Sequence, residues 1–142
     1  MTANAIRALV VDDNECHRDL LGAILATQGL AVDFAVDGRQ AVTMAKAVAF
    51  DLILMDLVMP LMDGLEATAL IRQDERRAAR TPVRLFMVTT TGEHAIRRQA
   101  LQAGADGYIG KPVDFRRLAE VAQEQVEEKR ARTFQPQLAV VA

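Results

Sequence analysis

Five positions carry the side chains best suited to chemistry: Asp12, Asp13, Asp56, Thr89 and Lys111. Asp12 and Asp13 follow the apolar run Ala8-Leu9-Val10-Val11, and Asp56 closes Leu52-Ile53-Leu54-Met55. Thr89 closes Leu85-Phe86-Met87-Val88, and Lys111 follows Tyr108-Ile109-Gly110. If these runs are strands of an open parallel sheet, the residues at their ends meet in the crevice where such sheets build their sites. Three carboxylates gathered there repel one another unless a cation sits among them, and hard oxygen donors suit Mg²⁺. One carboxylate is then available as a nucleophile toward a phosphoryl group, with an ammonium and a hydroxyl to stabilise the transferred oxygens. The chemistry implied is phosphorylation of an aspartate.

The elements that must position these residues are legible in outline. The apolar runs are short, rich in Val, Ile and Leu, and not alternating, as strands buried on both faces of a parallel sheet are. Ala8 to Val11 is read as the first strand, and Asn14 as the N-cap of a helix with apolar positions Leu20, Leu21, Ile24 and Leu25 that ends at Gly29. Ala31 to Ala35 follows as a strand, then Asp37-Gly38 turns into a helix with Ala41, Val42, Met44 and Ala45. After the strand Leu52 to Met55 comes a loop broken by Pro60 and Gly64. The next helix is expected to turn Leu65, Ala69 and Ile71 inward and Arg72, Asp74, Glu75, Arg76 and Arg77 outward, stopping before Thr81-Pro82. Val83 to Val88 is the fourth strand. Thr91-Gly92 leads into a helix through Ala95, Ile96 and Leu101 that ends at Gly104, and Gly107 to Ile109 is the fifth strand. A last amphipathic helix runs from about Asp114 to Arg130, with Phe115, Leu118 and Val126 inward. Strands alternating with helices imply right-handed crossovers and helices on both faces of a parallel sheet.

With 142 residues, 51% hydrophobic and 25% charged, the chain suits one domain with a sizeable core. A net charge of −2 offers no basic footprint, so no nucleic-acid partner is expected. The single cysteine, Cys16, has no second thiol to pair with, which fits a reducing cytoplasm. Residues Met1 to Arg7 lack an apolar signal core, and no stretch approaches the roughly 20 apolar residues of a membrane helix. The expectation is a cytoplasmic chain with no membrane insertion.

Taken in order, several segments carry a resemblance: Val11-Asp12-Asp13-Asn14, Leu54-Met55-Asp56-Leu57-Val58-Met59-Pro60, Met62-Asp63-Gly64, Val88-Thr89, and Ala103-Gly104-Ala105-Asp106-Gly107-Tyr108-Ile109-Gly110-Lys111-Pro112. From about Arg7 to Arg130 the chain resembles the receiver domains of two-component response regulators. Their fold is flavodoxin-like α/β, a five-stranded parallel sheet of order 2-1-3-4-5 with helices on both faces. The resemblance implies a receiver over residues 1–130, with 131–142 a flexible tail or the start of a linker. The stretch from Asn14 to Leu21 and that from Met62 to Thr68 look more like receivers of hybrid histidine kinases than like regulators with DNA-binding domains.

Carried over residue by residue, the resemblance makes Asp56 the acceptor of a phosphoryl group from a phosphohistidine on a histidine kinase or a histidine phosphotransfer protein. Asp12 and Asp13 become the acidic pair for Mg²⁺, with Asp56 and the backbone carbonyl of Val58 as further ligands. Lys111 would contact phosphoryl oxygens, Thr89 would be the switch hydroxyl, and Tyr108 the aromatic whose burial changes as Thr89 moves. The first helix, through Leu20 or Leu21, would dock the donor. The helix around Ile96 to Leu101, the fifth strand and the last helix would carry the response to a downstream protein or a second copy of the chain.

Simpler readings stand beside these. Adjacent acids are usually a solvated turn, Tyr108 at a strand end is by default a core aromatic, and Thr90 and Thr91 offer the same hydroxyl as Thr89. His17 and His94 read as surface residues, and the Arg72, Arg76, Arg77, Arg80 group as a solvated helix face. A phosphatase acting through an aspartyl-phosphate is an alternative, but it needs a general acid near Asp56, where Val58 cannot serve; a non-phosphorylated interaction module is another. Val58 and Thr90 depart from the commonest family pattern, in which a polar residue and a smaller one are frequent. An apolar Val58 cannot orient an attacking water, so slow self-dephosphorylation is expected.

Overall fold

The computed structural model describes residues 5–90 and 94–141, and the side chains of residues 5–90 and 95–132. Strands and helices alternate as β1 (Arg7–Val11), α1 (Glu15–Thr27), β2 (Ala31–Ala35), α2 (Gly38–Ala47), β3 (Leu52–Asp56), α3 (Gly64–Arg77), β4 (Arg84–Thr89), α4 (His94–Ala103), β5 (Gly107–Gly110) and α5 (Phe115–Val141). All strand pairs are parallel, in the order β2-β1-β3-β4-β5. The register sets Val11 beside Met55, Asp56 beside Val88 and Thr89 beside Gly110, so four strands end along one edge of the sheet.

Side chains alternate across a strand, and here both rows are apolar. Leu9, Val11, Ile53, Met55, Leu85 and Met87 pack with Ala41, Ala67, Ile71 and Ala100 beneath α2, α3 and α4. Ala8, Val10, Leu52, Leu54, Phe86, Val88 and Ile109 pack with Leu21, Leu25, Leu118 and Val121 beneath α1 and α5. Each large side chain buried this way stabilises the fold by roughly 1.5–3 kcal/mol. The helix starts are set by short acidic or amide side chains. Asn14 accepts from the His17 N–H, Asp37 from the Gln40 N–H and Asp63 from the Glu66 N–H.

Several expectations are corrected. Arg72 and Glu75, expected in solvent, are only 9% and 8% exposed. Arg72 donates to Glu75 at 2.8 Å, to Asp106 at 3.1 Å and to the Gly104 carbonyl at 2.8 Å, tying α3 to the turn between α4 and β5. Gly104 has φ +112, and a Cβ there would meet Arg72 Cγ at 2.6 Å, so this residue must be glycine on two counts. Ala69, expected inward, is exposed, because Thr68 and Ile71 take the buried face of α3. Phe115, also expected inward, is 55% exposed, and Leu20 and Leu101, read as apolar positions of their helices, are 45% and 58% exposed. Helix α3 stops before Thr81-Pro82 as expected, ending at Arg77 with Ala79 in the left-handed region (φ 52). Helix α5 continues to Val141, past the expected end at Arg130. The expected lead-in Thr91-Gly92 lies outside the described residues. Among the described residues, no helix is long and apolar enough to cross a membrane.

Candidate functional site

The sheet edge brings the acidic residues together. Carboxylate oxygens of Asp12, Asp13 and Asp56 all lie within 4.8 Å of one another. Asp12 follows the last residue of β1 and is 1% exposed; Asp56 is the last residue of β3 and is 7% exposed; Asp13 is exposed. Two features of the chain hold them in place. Asp12 Oδ1 accepts the Asn14 N–H at 2.9 Å, so the turn that starts α1 also orients the carboxylate. On the other side, Gly64 donates its N–H to the Leu57 carbonyl at 2.8 Å. A Cβ at Gly64 would overlap the Asp56 carbonyl oxygen, so only glycine lets α3 start this close to β3.

Lys111, just after β5, reaches across the edge. Its Nζ is 3.2 Å from Asp56 Oδ1 and 3.4 Å from Asp12 Oδ2, and its N–H donates to the Thr89 carbonyl at 2.8 Å. One ammonium therefore faces two buried carboxylates with a third beside them. Burial pushes the Asp56 carboxyl above the usual carboxylate range, and Asp12 pushes it further; Lys111 opposes both without cancelling them. The cluster is short of positive charge. Oxygen-only donors at this spacing fit a hard divalent cation such as Mg²⁺, which would supply that charge.

The remaining expected residues sit around this centre. Thr89, the last residue of β4, is 2% exposed and is paired in register with Gly110. The Val58 side chain is 73% exposed at the mouth, and Leu61 beside it is 80% exposed. Tyr108 lies one step down β5, in register with Met87, half-buried against the core. Of the two residues offered for donor docking, Leu21 is in the core and Leu20 is exposed.

Two residues near the site escape a reading of the sequence. His17 is half exposed, as a surface residue should be, yet its Nδ1 is 3.5 Å from Asp12 Oδ2. Its place one turn into α1, three residues after the N-cap, is the only signal the chain offers. Arg97 on α4 donates to the Tyr108 hydroxyl at 2.8 Å; nothing in the sequence pairs these two residues.

Comparison with known proteins agrees with this geometry. The response regulator receiver domain pattern matches residues 8–123. The chain is 42% identical over 108 residues to the chemotaxis protein CheY of Halobacterium salinarum, covering 76% of this chain and 86% of that one. It also matches histidine kinases, of whose length it spans only 3% to 13%. Among solved structures, it superposes with TM-score 0.81 and 30% identity on a chain in the co-crystal of the Saccharomyces cerevisiae histidine phosphotransfer protein Ypd1 with the receiver domain of its downstream regulator Ssk1. That match covers 85% of this chain and 88% of the other. The receiver domain of sensor histidine kinase PA1611 from Pseudomonas aeruginosa, solved with magnesium coordinated in its active-site cleft, superposes with TM-score 0.75 and 32% identity. There the match covers 87% of this chain and 98% of the other. With the strand order, the acidic cluster and the lysine all in place, the chain belongs to the response regulator receiver domains.

Proposed function

We propose that this chain is a phosphoacceptor of two-component or phosphorelay signalling, with Asp56 as the acceptor. The observation that carries the reading is the Asp12, Asp13, Asp56 cluster with the Lys111 ammonium bridging two of its members. In the transfer an Asp56 carboxylate oxygen forms a bond to phosphorus as the donor's P–N bond breaks, and the electron pair leaves on the donor's imidazole nitrogen. Lys111 faces Asp56 at 3.2 Å, where it can pair with an oxygen of the arriving group and offset charge as it develops. Thr89 supplies the hydroxyl that turns to the phosphoryl group, and Tyr108 follows it.

Asp12, Asp13, Asp56 and the Val58 carbonyl would hold Mg²⁺, which when bound screens the negative charge of acceptor and donor from each other. Magnesium in the cleft of the Pseudomonas aeruginosa receiver supports the choice of metal. The partner is a histidine kinase or a histidine phosphotransfer protein, a choice supported by the yeast co-crystal. Leu20 on α1, with Val58 and Leu61 across the mouth, offers exposed apolar surface on which a helical donor can seat. The chain acts in the cytoplasm as a carrier of signal and not as an enzyme: two residues after Asp56, the exposed apolar Val58 provides no general acid for a phosphatase.

The test compares two donors. Leu20→Asp should slow phosphoryl transfer from a phosphorylated histidine phosphotransfer protein while leaving uptake from acetyl phosphate unchanged. Equal slowing with both donors would remove α1 from the donor surface. Failure of wild type to take phosphate from either would remove the function.

A further inference from the structure

We propose that Arg97 is a latch that holds Tyr108 in the unphosphorylated position, and that its release is part of the response to phosphorylation of Asp56; this rests on the acceptor reading above. The Arg97 guanidinium carbon lies 4.5 Å from the centroid of the Tyr108 ring, and its Nη2 donates to the phenol oxygen at 2.8 Å. One side chain thus grips both the face and the polar tip of the ring. Helix α4, His94-Ala-Ile-Arg-Arg-Gln-Ala-Leu-Gln-Ala103, contains no acid. Among the described residues Arg97 makes no salt bridge, and both of the contacts given for it are to the tyrosine.

The ring lies where a change at the sheet edge reaches it. Tyr108 and Gly110 are two apart on β5 and share a face, and Gly110 is the register partner of Thr89. The phenol oxygen would be 3.9 Å from a Cβ at Gly110. With only hydrogen there, the ring has room to travel along the strand toward Thr89. Any such travel breaks the bond to Arg97 and frees a guanidinium on an exposed face of α4. Tyr108 is therefore shared between two holds, one on α4 and one at the strand ends. A ligand that favours one position works against the other by the difference in its affinity for the two states. Arg97 is a positioning residue in this scheme: it touches the ring and not the reacting atoms.

The experiment uses the fact that the chain has one tyrosine and no tryptophan, so fluorotyrosine labelling gives a single ¹⁹F resonance from Tyr108. Wild type, Arg97→Ala and Arg97→Lys are titrated with beryllofluoride, a phosphoryl mimic, in MgCl₂. Coupling between sites spans about 5- to 150-fold in affinity, and an exposed contact belongs at the low end. The half-saturating concentration should fall about fivefold in Arg97→Ala and return toward wild type in Arg97→Lys. The resonance of free Arg97→Ala should already be displaced toward the loaded position. If the wild-type resonance moves on loading and Arg97→Ala titrates identically, the latch is wrong and the acceptor reading stands. The latch is equally wrong if acetyl phosphate labels Asp56 while the wild-type resonance stays fixed. If wild type takes up neither phosphate nor the mimic, the acceptor reading fails and the latch fails with it.

Discussion

Removing the positive charge of Lys111 should weaken the protein and strengthen its hold on Mg²⁺ at the same time. Lys111 Nζ is 3.2 Å from Asp56 and 3.4 Å from Asp12, and the three side chains are 15%, 9% and 1% exposed. At an effective dielectric constant of about 20, each contact is a gross attraction of about 5 kcal/mol, set against the cost of desolvating three charges. Breaking such a pair from one side leaves its partners buried and uncompensated, which costs about 3–5 kcal/mol. The low end applies because water reaches the mouth through exposed Asp13. Lys111→Met is expected to lose about 3 kcal/mol in EDTA, a Tm lower by roughly 6–12 °C at about 2–4 °C per kcal/mol for a domain near this size. Adding Mg²⁺ should narrow the gap to wild type. The ammonium repels any cation sharing its carboxylates, and relief of about 1.4 kcal/mol of that repulsion raises Mg²⁺ affinity about tenfold. Mg²⁺ in excess stabilises both proteins by RT ln(1 + [Mg²⁺]/Kd), and the tighter binding should narrow the variant's deficit by up to about 1.4 kcal/mol. Circular-dichroism melts across a Mg²⁺ series measure both effects. An unchanged Tm in EDTA would show that Lys111 is solvated away from the carboxylates; weaker Mg²⁺ binding by the variant would show that the two cations do not share a site.

Three further outcomes are expected. Asp56→Asn should be more stable than wild type in EDTA at neutral pH, because the folded pKa of Asp56 is raised: its charge costs stability once pH passes that pKa and costs none below the unfolded value. The gap between variant and wild type in urea should therefore close as pH falls into the ordinary carboxylate range, and a gap that widens on acidification would refute the assignment. Arg72→Met should lose about 3 kcal/mol in urea unfolding by leaving buried Glu75 without its cation, whereas Arg72→Met combined with Glu75→Gln should recover part of that; a loss below about 1 kcal/mol in the single variant would place the group in solvent after all. Val58→Asn should shorten the half-life of the phosphorylated form in a phosphate-release assay, since an amide at this exposed position can orient water; a longer half-life would refute the role given to Val58.

What the sequence shows and what it hides follow from how far each residue's partners lie along the chain. Asp12, Asp13, Asp56 and Lys111 are visible because a charge that ends a fully apolar strand has one place to go, the sheet edge. The meeting of the three carboxylates within 4.8 Å follows from parallel order and register. The N-caps Asn14, Asp37 and Asp63 are equally local, each satisfied three residues on. Arg72 is misread because a charge on a helix looks solvated when its acceptors, Gly104 and Asp106, are 32 and 34 residues away. Phe115 is misread in the opposite sense: an apolar side chain at helical spacing looks like core until neighbouring helices fill the core without it. Arg97 and Tyr108 sit on different elements 11 residues apart, and neither residue type announces the other. The end of α3 at Arg77 depends on alanine taking a left-handed conformation, which no residue preference signals.

The central claim is tested most directly by finding where a phosphoryl group lands. Wild type incubated with acetyl phosphate and Mg²⁺, then trapped and mapped by peptide mass spectrometry, should carry one phosphoryl group on Asp56, acquire none when EDTA replaces Mg²⁺ in the incubation, and show none in Asp56→Asn. Modification at another residue, or equal labelling of Asp56→Asn, would contradict the account.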